Sequence, residues 1–168
     1  DSRIKVGLYV FHYGKVGLLA EQTNVGDIIV PSASLDEQRI LRGDITDSSL
    51  MNRLTTFPEV YGHFADLIGV RPYSGKTVNS ISVLQQSRSN LQRAKDAGGD
   101  FLDMEWEAMA SVKVASASKF PNLGGIHHYF VGVGSDKPLD GSTLGGTEYP
   151  RDIEKKVAAA FVNMIMEL

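Results

Sequence analysis

The 168-residue sequence has no cysteine, which rules out disulfides and thiolate metal ligands. It also lacks any run of about 18 apolar residues, the length a membrane-crossing helix needs. Neither sign of charge dominates. The 17 Lys and Arg against 20 Asp and Glu leave a net charge of -3. That balance gives no field to attract nucleic acid or an anionic membrane, so neither is expected as a partner. No secretory pattern opens the chain, because Arg3 and Lys5 lead straight into a strand-like run, and a cytoplasmic protein is expected. Repeats, low-complexity tracts and Pro/Ser-rich linkers are absent too. What remains is 42% hydrophobic and 22% charged, the composition of one globular domain over residues 1–168.

Strand-like and helix-like patterns alternate along the chain. Ile4–Phe11 is a β-branched and aromatic run, and His12–Gly17 after it reads as a glycine-punctuated turn. Asp27–Val30 reads as a strand closed by Pro31, and residues 32–56 as a polar, irregular excursion. Helical spacing of Val60, Phe64 and Leu67 predicts a helix over Phe57–Ile68. Lys76–Leu84 alternates like a half-buried strand, and Ser87 or Ser89 caps a helix that stops at Gly98-Gly99. Residues 103–119 carry an apolar stripe of a further helix, Ile126–Val133 is a strand ending at Gly134, and Ile153–Leu168 forms the last helix. The alternation predicts a layered α/β domain.

In such folds ligands gather beyond the carboxyl ends of strands. Ser135-Asp136 follows Gly132 and Gly134 at one such end, where a carboxylate in a dry pocket acts as a general acid or base. Ser-Asp-Lys-Pro is also ordinary turn chemistry. Glu105, beside Met104, accepts two hydrogen bonds in a fork if it is buried over a diol, or stabilises a helix start. His12 and Lys15 around Gly14 offer two cations and an open backbone to a phosphate or carboxylate, or simply a strand-to-helix turn. His127-His128 lies within a strand, so the two rings point to opposite faces and no metal site is expected. Arg42-Gly43-Asp44 reads as a chance motif in a polar loop.

Taken in order, these segments resemble the nucleoside phosphorylase superfamily, which includes purine and uridine phosphorylases and methylthioadenosine/S-adenosylhomocysteine nucleosidases. The resemblance rests on Val6–Phe11, Gly14–Gly17, Val25-Gly-Asp-Ile-Ile-Val-Pro31, Val78–Gln86, Phe101-Leu-Asp-Met-Glu-Trp-Glu-Ala-Met-Ala110 and Phe130–Asp136. It implies a three-layer α/β/α sandwich with a mixed central sheet, of the phosphorylase/hydrolase-like kind. It further implies cleavage of the N-glycosidic bond of a nucleoside, by phosphate or by water, with no cofactor beyond phosphate as a possible co-substrate. By position, Asp136 would assist the departing base and Glu105 would hold the ribose. Met104 would pack on the sugar, Val83 and Leu84 would line the base pocket with Ser135 nearby, and His12, Gly14 and Lys15 would receive the anion.

The family's additional N-terminal strands have no counterpart before Ile4. The resemblance therefore implies a domain truncated at that side, about the C-terminal two-thirds of the family domain. An upstream segment or a second chain beside Ile4–Phe11 would complete its sheet, within a homo- or hetero-oligomer. Four positions depart from the family pattern. His12 stands where phosphorylases place an arginine, Lys15 and Val16 replace small or hydroxyl residues, and Trp106 replaces a small residue. These departures leave open a non-catalytic binding or assembly subunit with the same fold.

Overall fold

A computed structural model describes residues 8–43, 65–69, 71–80, 82, 86–106, 108–109, 119, 126–142 and 152–167. The strands are β1 (Leu8–Leu18), β2 (Ile28–Asp36), β3 (Tyr73–Asn79), β4 (Phe101–Asp103) and β5 (Ile126–Asp136). The helices are α1 (Glu37–Leu41), α2 (Arg88–Asp96) and α3 (Asp152–Glu167), with a 3-10 turn at Pro138–Asp140. The five strands close into a barrel in the order β1-β4-β3-β2-β5. The sheet is mixed: β1 runs parallel to β5, β2 to β3 and β3 to β4, while β1/β4 and β2/β5 are antiparallel.

The core follows from strand alternation within this closed sheet. Val16, Leu18, Ile29, Phe101 and Phe130 are buried together with Trp106, and Tyr73 packs against them. Every strand contributes to that cluster, so it fills the barrel interior. Residues of the opposite parity face outward onto two helical patches. Ile28, Val30, Tyr129 and Val131 pack against Val157, Ala160, Phe161 and Met164 of α3. Val78 and Leu102 pack against Leu91 and Ala94 of α2 and Ile40 of α1. Over residues 28–31 of β2 and 129–133 of β5 both faces are covered, and these stretches read as near-continuous apolar runs. Helices thus cover the sheet in two places, as a layered α/β domain requires, but around a closed barrel instead of on the two faces of an open sandwich sheet.

The elements differ from the sequence expectations in instructive ways. His12–Gly17 is not a turn: β1 runs through it, pairing residue for residue with β5 up to a register shift between Val16 and Gly17. Pro31 does not end β2, which continues to Asp36 past a shift between Pro31 and Ala33. A proline cannot donate a ladder hydrogen bond, and such an irregularity is where a strand accommodates one. Residues 32–41, read as irregular, are therefore strand and then α1. β3 starts and ends earlier than Lys76–Leu84, and Phe101–Asp103 is a strand before any helix begins.

α2 behaves as its sequence says. Ser87 is the N-cap, its Oγ accepting from Asn90 N at 3.3 Å, and Gly98 closes the end with φ +85°. α3 spans the expected stripe. Within the helix expected over Phe57–Ile68, residues 65–68 are helical and 57–64 lie outside the described residues. The side chains of His127 and His128, and most of the stretch 110–119, lie outside them as well. Among the described residues no helix is long and apolar enough to cross a membrane, and no group of three or more His, Asp or Glu side chains is arranged to hold a metal.

Candidate active site

β1 and β4 pair at only two positions, Gly17↔Leu102 and Leu18↔Phe101. β4 then stops at Asp103 and the chain turns away into helical residues 106 and 108–109, while β1 upstream stays bound to β5 on its other side. Between these diverging segments opens a cavity of about 970 Å³, large enough for a drug-sized ligand. One wall is β1 from Phe11 to Lys15; the other is Asp103, Met104, Glu105 and Trp106 with Met109. Gly17, Leu102 and Asp136 border it where the strands meet, and Gln86 and Pro138 lie at its margin.

The expected residues are thus largely brought together. His12, Gly14, Lys15, Met104, Glu105 and Asp136 all border the same cavity. Val83 and Leu84 lie outside the described residues. Ser135 does not border the cavity. It is buried, with its Oγ 2.5 Å from Asp136 Oδ1 and 3.2 Å from the carbonyl oxygen of Val16. Its hydroxyl is directed to Asp136 and to the Val16 carbonyl.

Asp136 is only 4% exposed. Burial raises its pKa above the ordinary carboxylate value, and the hydrogen bond from Ser135 pulls it back in part. Ser135 Oγ donates to Asp136 Oδ1 and also lies within hydrogen-bond reach of the Val16 carbonyl oxygen, so the carboxyl group is tied to β1 through its neighbour.

The glycines expected to open the backbone to an anion have a different neighbour. Gly14 and Gly132 are register partners on β1 and β5. A Cβ on Gly132 would lie 2.9 Å from Trp106 Cη2 and 2.9 Å from Val16 Cγ1, and one on Gly14 would lie 3.8 Å from Trp106 Nε1. The two glycines form a notch that receives the indole, which is 2% exposed and meets Phe130 edge-on at a centroid distance of 6.0 Å. The bulky departure at position 106 is thereby explained: the barrel interior, not solvent, takes it. Gly134 makes similar room for Leu18.

His12 stacks on its register partner Phe130 at 4.5 Å and 10°, and burial lowers its pKa from the usual histidine value. It is therefore neutral at pH 7 and offers a hydrogen bond, not a charge. Lys15 lies three residues along the same strand, so the two side chains leave opposite faces and cannot converge as they would from a turn. Glu105, expected as a buried grip, is exposed at the cavity wall, as is Met104 at 41%.

Asp103 was not singled out by sequence reasoning, which ran a helix through it. It is 4% exposed, and its Oδ1 accepts from the backbone N–H of Glu105 at 2.9 Å and of Trp106 at 2.5 Å. Burial first, and the nearby Glu105 charge, raise its pKa to about 6 against these backbone hydrogen bonds. An aspartate between a strand and the turn that starts a helix is a capping signal that the sequence did contain.

Neither a protein-family model nor a curated protein matches the sequence. Solved structures do match its fold. The Plasmodium knowlesi homologue of P. falciparum PNP superposes with a TM-score of 0.65 at 13% identity, over 94% of this chain. Schistosoma mansoni purine nucleoside phosphorylase, in complex with BCX-34, does so with a TM-score of 0.60 at 14% identity, over 96% of this chain. In both cases the chain spans 60% of the other protein's length. At such identity the likeness is one of fold alone, shared with these two proteins.

Proposed function

We propose that the cavity between β1 and the Asp103–Trp106 turn binds a nucleoside and that the protein cleaves its N-glycosidic bond. The observation that carries this reading is Asp136: a buried carboxyl group with a raised pKa, bonded to Ser135, at the wall of a cavity of nucleoside size. A neutral acid there donates its proton to a ring nitrogen of the base as the C–N bond breaks and the bonding pair moves onto the base. The electron-poor sugar carbon is then taken by water or by a phosphate oxygen. Glu105, across the cavity, accepts hydrogen bonds from the ribose hydroxyls, and Met104 lies against the sugar. Lys15 serves the nucleophile's side, while His12, leaving the opposite face of β1, stacks on Phe130. Phosphate is the co-substrate if the reaction is phosphorolytic, and the chain works within an oligomer whose partner or upstream segment adds to the site.

The test is a panel of purine and pyrimidine nucleosides, with and without phosphate, with free base as the readout. Asp136→Asn removes the proton donor while keeping the shape, and kcat is expected to fall by about 10²–10⁴. Turnover that survives this change would remove Asp136 from the mechanism. Phosphate dependence separates phosphorylase from nucleosidase. A second reading, a binding subunit without turnover, is favoured by one observation: Glu105 is exposed at the cavity wall and not enclosed over it. Nucleoside binding with no base release is its expected outcome.

A further inference from the structure

We infer that Asp103 is a positioning residue of this site: its carboxylate fixes the turn that sets Glu105 at the cavity wall and seats Trp106 in the Gly14/Gly132 notch. The geometry is specific. One oxygen, Oδ1, receives the N–H groups of both Glu105 and Trp106, at 2.9 and 2.5 Å. The backbone of β4 is held at the same point, where Ser80 N donates to Asp103 O at 2.7 Å. The turn is thus anchored to the barrel at its first residue, and the two residues that follow Met104 are tied back to that anchor. Glu105 then faces the cavity while Trp106, one residue on, enters the barrel interior beside Phe130 and Val16. A single carboxylate couples the substrate-facing wall to the core.

The clamp depends on charge, because an ionised acceptor holds two N–H donors more firmly than a neutral one. The titratable groups that border the same cavity are Glu105 on the turn, His12, Tyr13 and Lys15 on β1 and Asp136 on β5, among the described residues. Asn79 on β3 is the register neighbour of Asp103. Since Asp103 titrates near pH 6, its protonation falls in a range that solution measurements reach easily. Its effect has a built-in reporter: Trp106 is the only tryptophan in the chain.

The role of the clamp in substrate binding rests on the nucleoside reading of the cavity; the clamp itself does not. The experiment keeps the two apart. Tryptophan emission of the full chain is followed from pH 5 to 8 in the wild type, Asp103→Asn and Asp103→Ala. The wild type is expected to show a transition with a midpoint near 6. Asp103→Asn keeps an acceptor oxygen but cannot titrate, so its emission should be flat. Asp103→Ala should be red-shifted at every pH, as the indole loses its seat. His12→Gln and Asp136→Asn should retain the transition. A flat wild type, or a transition that persists in Asp103→Asn, overturns the clamp.

With a nucleoside turned over by the wild type, Asp103→Ala should raise KM by about tenfold with kcat changed much less, and Asp103→Asn should restore most of it. An unchanged KM in Asp103→Ala would overturn the positioning role. Absence of turnover in the wild type would count against the nucleoside reading alone, because the emission titration still decides the clamp.

Discussion

Two buried aspartates border one cavity, and their surroundings divide their work. Burial pushes the pKa of Asp136 up, and the hydrogen bond from Ser135 pulls it back only in part. Asp103 binds two backbone N–H groups and still rises to about 6. Ser135 lowers the pKa of Asp136, so Ser135→Ala should raise it further and move the alkaline limb of the kcat/KM profile to higher pH. A limb that stays put, or moves down, would show that Asp136 is not the acid being followed. For Asp103 the sign is that of a carboxyl group whose folded pKa lies above its unfolded value of 3.8. Its contribution to stability is complete below 3.8 and is lost as pH rises to about 6. Above that range the ionised group costs at most about 3 kcal/mol. Asp103→Asn should therefore raise the free energy of unfolding at pH 7.5 and flatten its decline between pH 4 and 6, as measured by urea denaturation. Greater stability with little change in substrate binding for Asp103→Asn, against weaker binding for Asp103→Ala, is the combination expected of a residue kept for position.

At the scale of elements, the notch is the feature that local sequence reading gets wrong. Glycines in Gly14–Gly17 and Gly132–Gly134 look like punctuation, because a glycine's commonest message is a turn. Here they sit inside paired strands, and for Gly14 and Gly132 the reason is Trp106, far from both in sequence, as it is Leu18 for Gly134. Gly132→Ala should cost about 1–3 kcal/mol, since the new Cβ falls 2.9 Å from both the indole and Val16. Much of that loss should be recovered in a Trp106→Leu background, and a double-mutant cycle with no coupling would refute the fit. α3 was legible because its apolar stripe is local and its burial follows the stripe. So was the cap at Ser87, where a side chain answers a donor three residues away. β2 was cut short at Pro31 because a proline ordinarily ends a central strand, and only the sheet's register shift shows how it was absorbed. The candidate site was legible as a set of residue types in order. Its two tight features, the Asp103 clamp and the indole seat, were not, since each is made by a contact between elements.

Considered as a whole, the molecule exposes apolar side chains selectively. Among the described residues, the exposed large hydrophobic side chains are Tyr13, Met104, Met109, Val162 and Met166, and the first three border the cavity. Apolar surface gathered around a concavity marks a place that a ligand or partner covers. The closed barrel makes such a cavity rigid on its β1 side, because β1 is held by β5 along nearly its whole length. A bound nucleoside should therefore shield the methionines without reshaping the fold. Met104 and Met109, at 41% and 40% exposure, are open to peroxide in the free protein, whereas Met164 is buried at 4% and Met166 on α3 is exposed at 81%. A purine nucleoside at ten times its Kd should slow oxidation of Met104 and Met109 by about tenfold, since the free fraction falls by that factor. Met166 should oxidise at the same rate with or without ligand, and Met164 slowly in both. Peptide mapping by mass spectrometry reads all four positions in one sample. Equal protection of Met166 would point to a general change in the protein or the oxidant, and no protection of Met104 and Met109 at saturation would place the nucleoside somewhere other than this cavity.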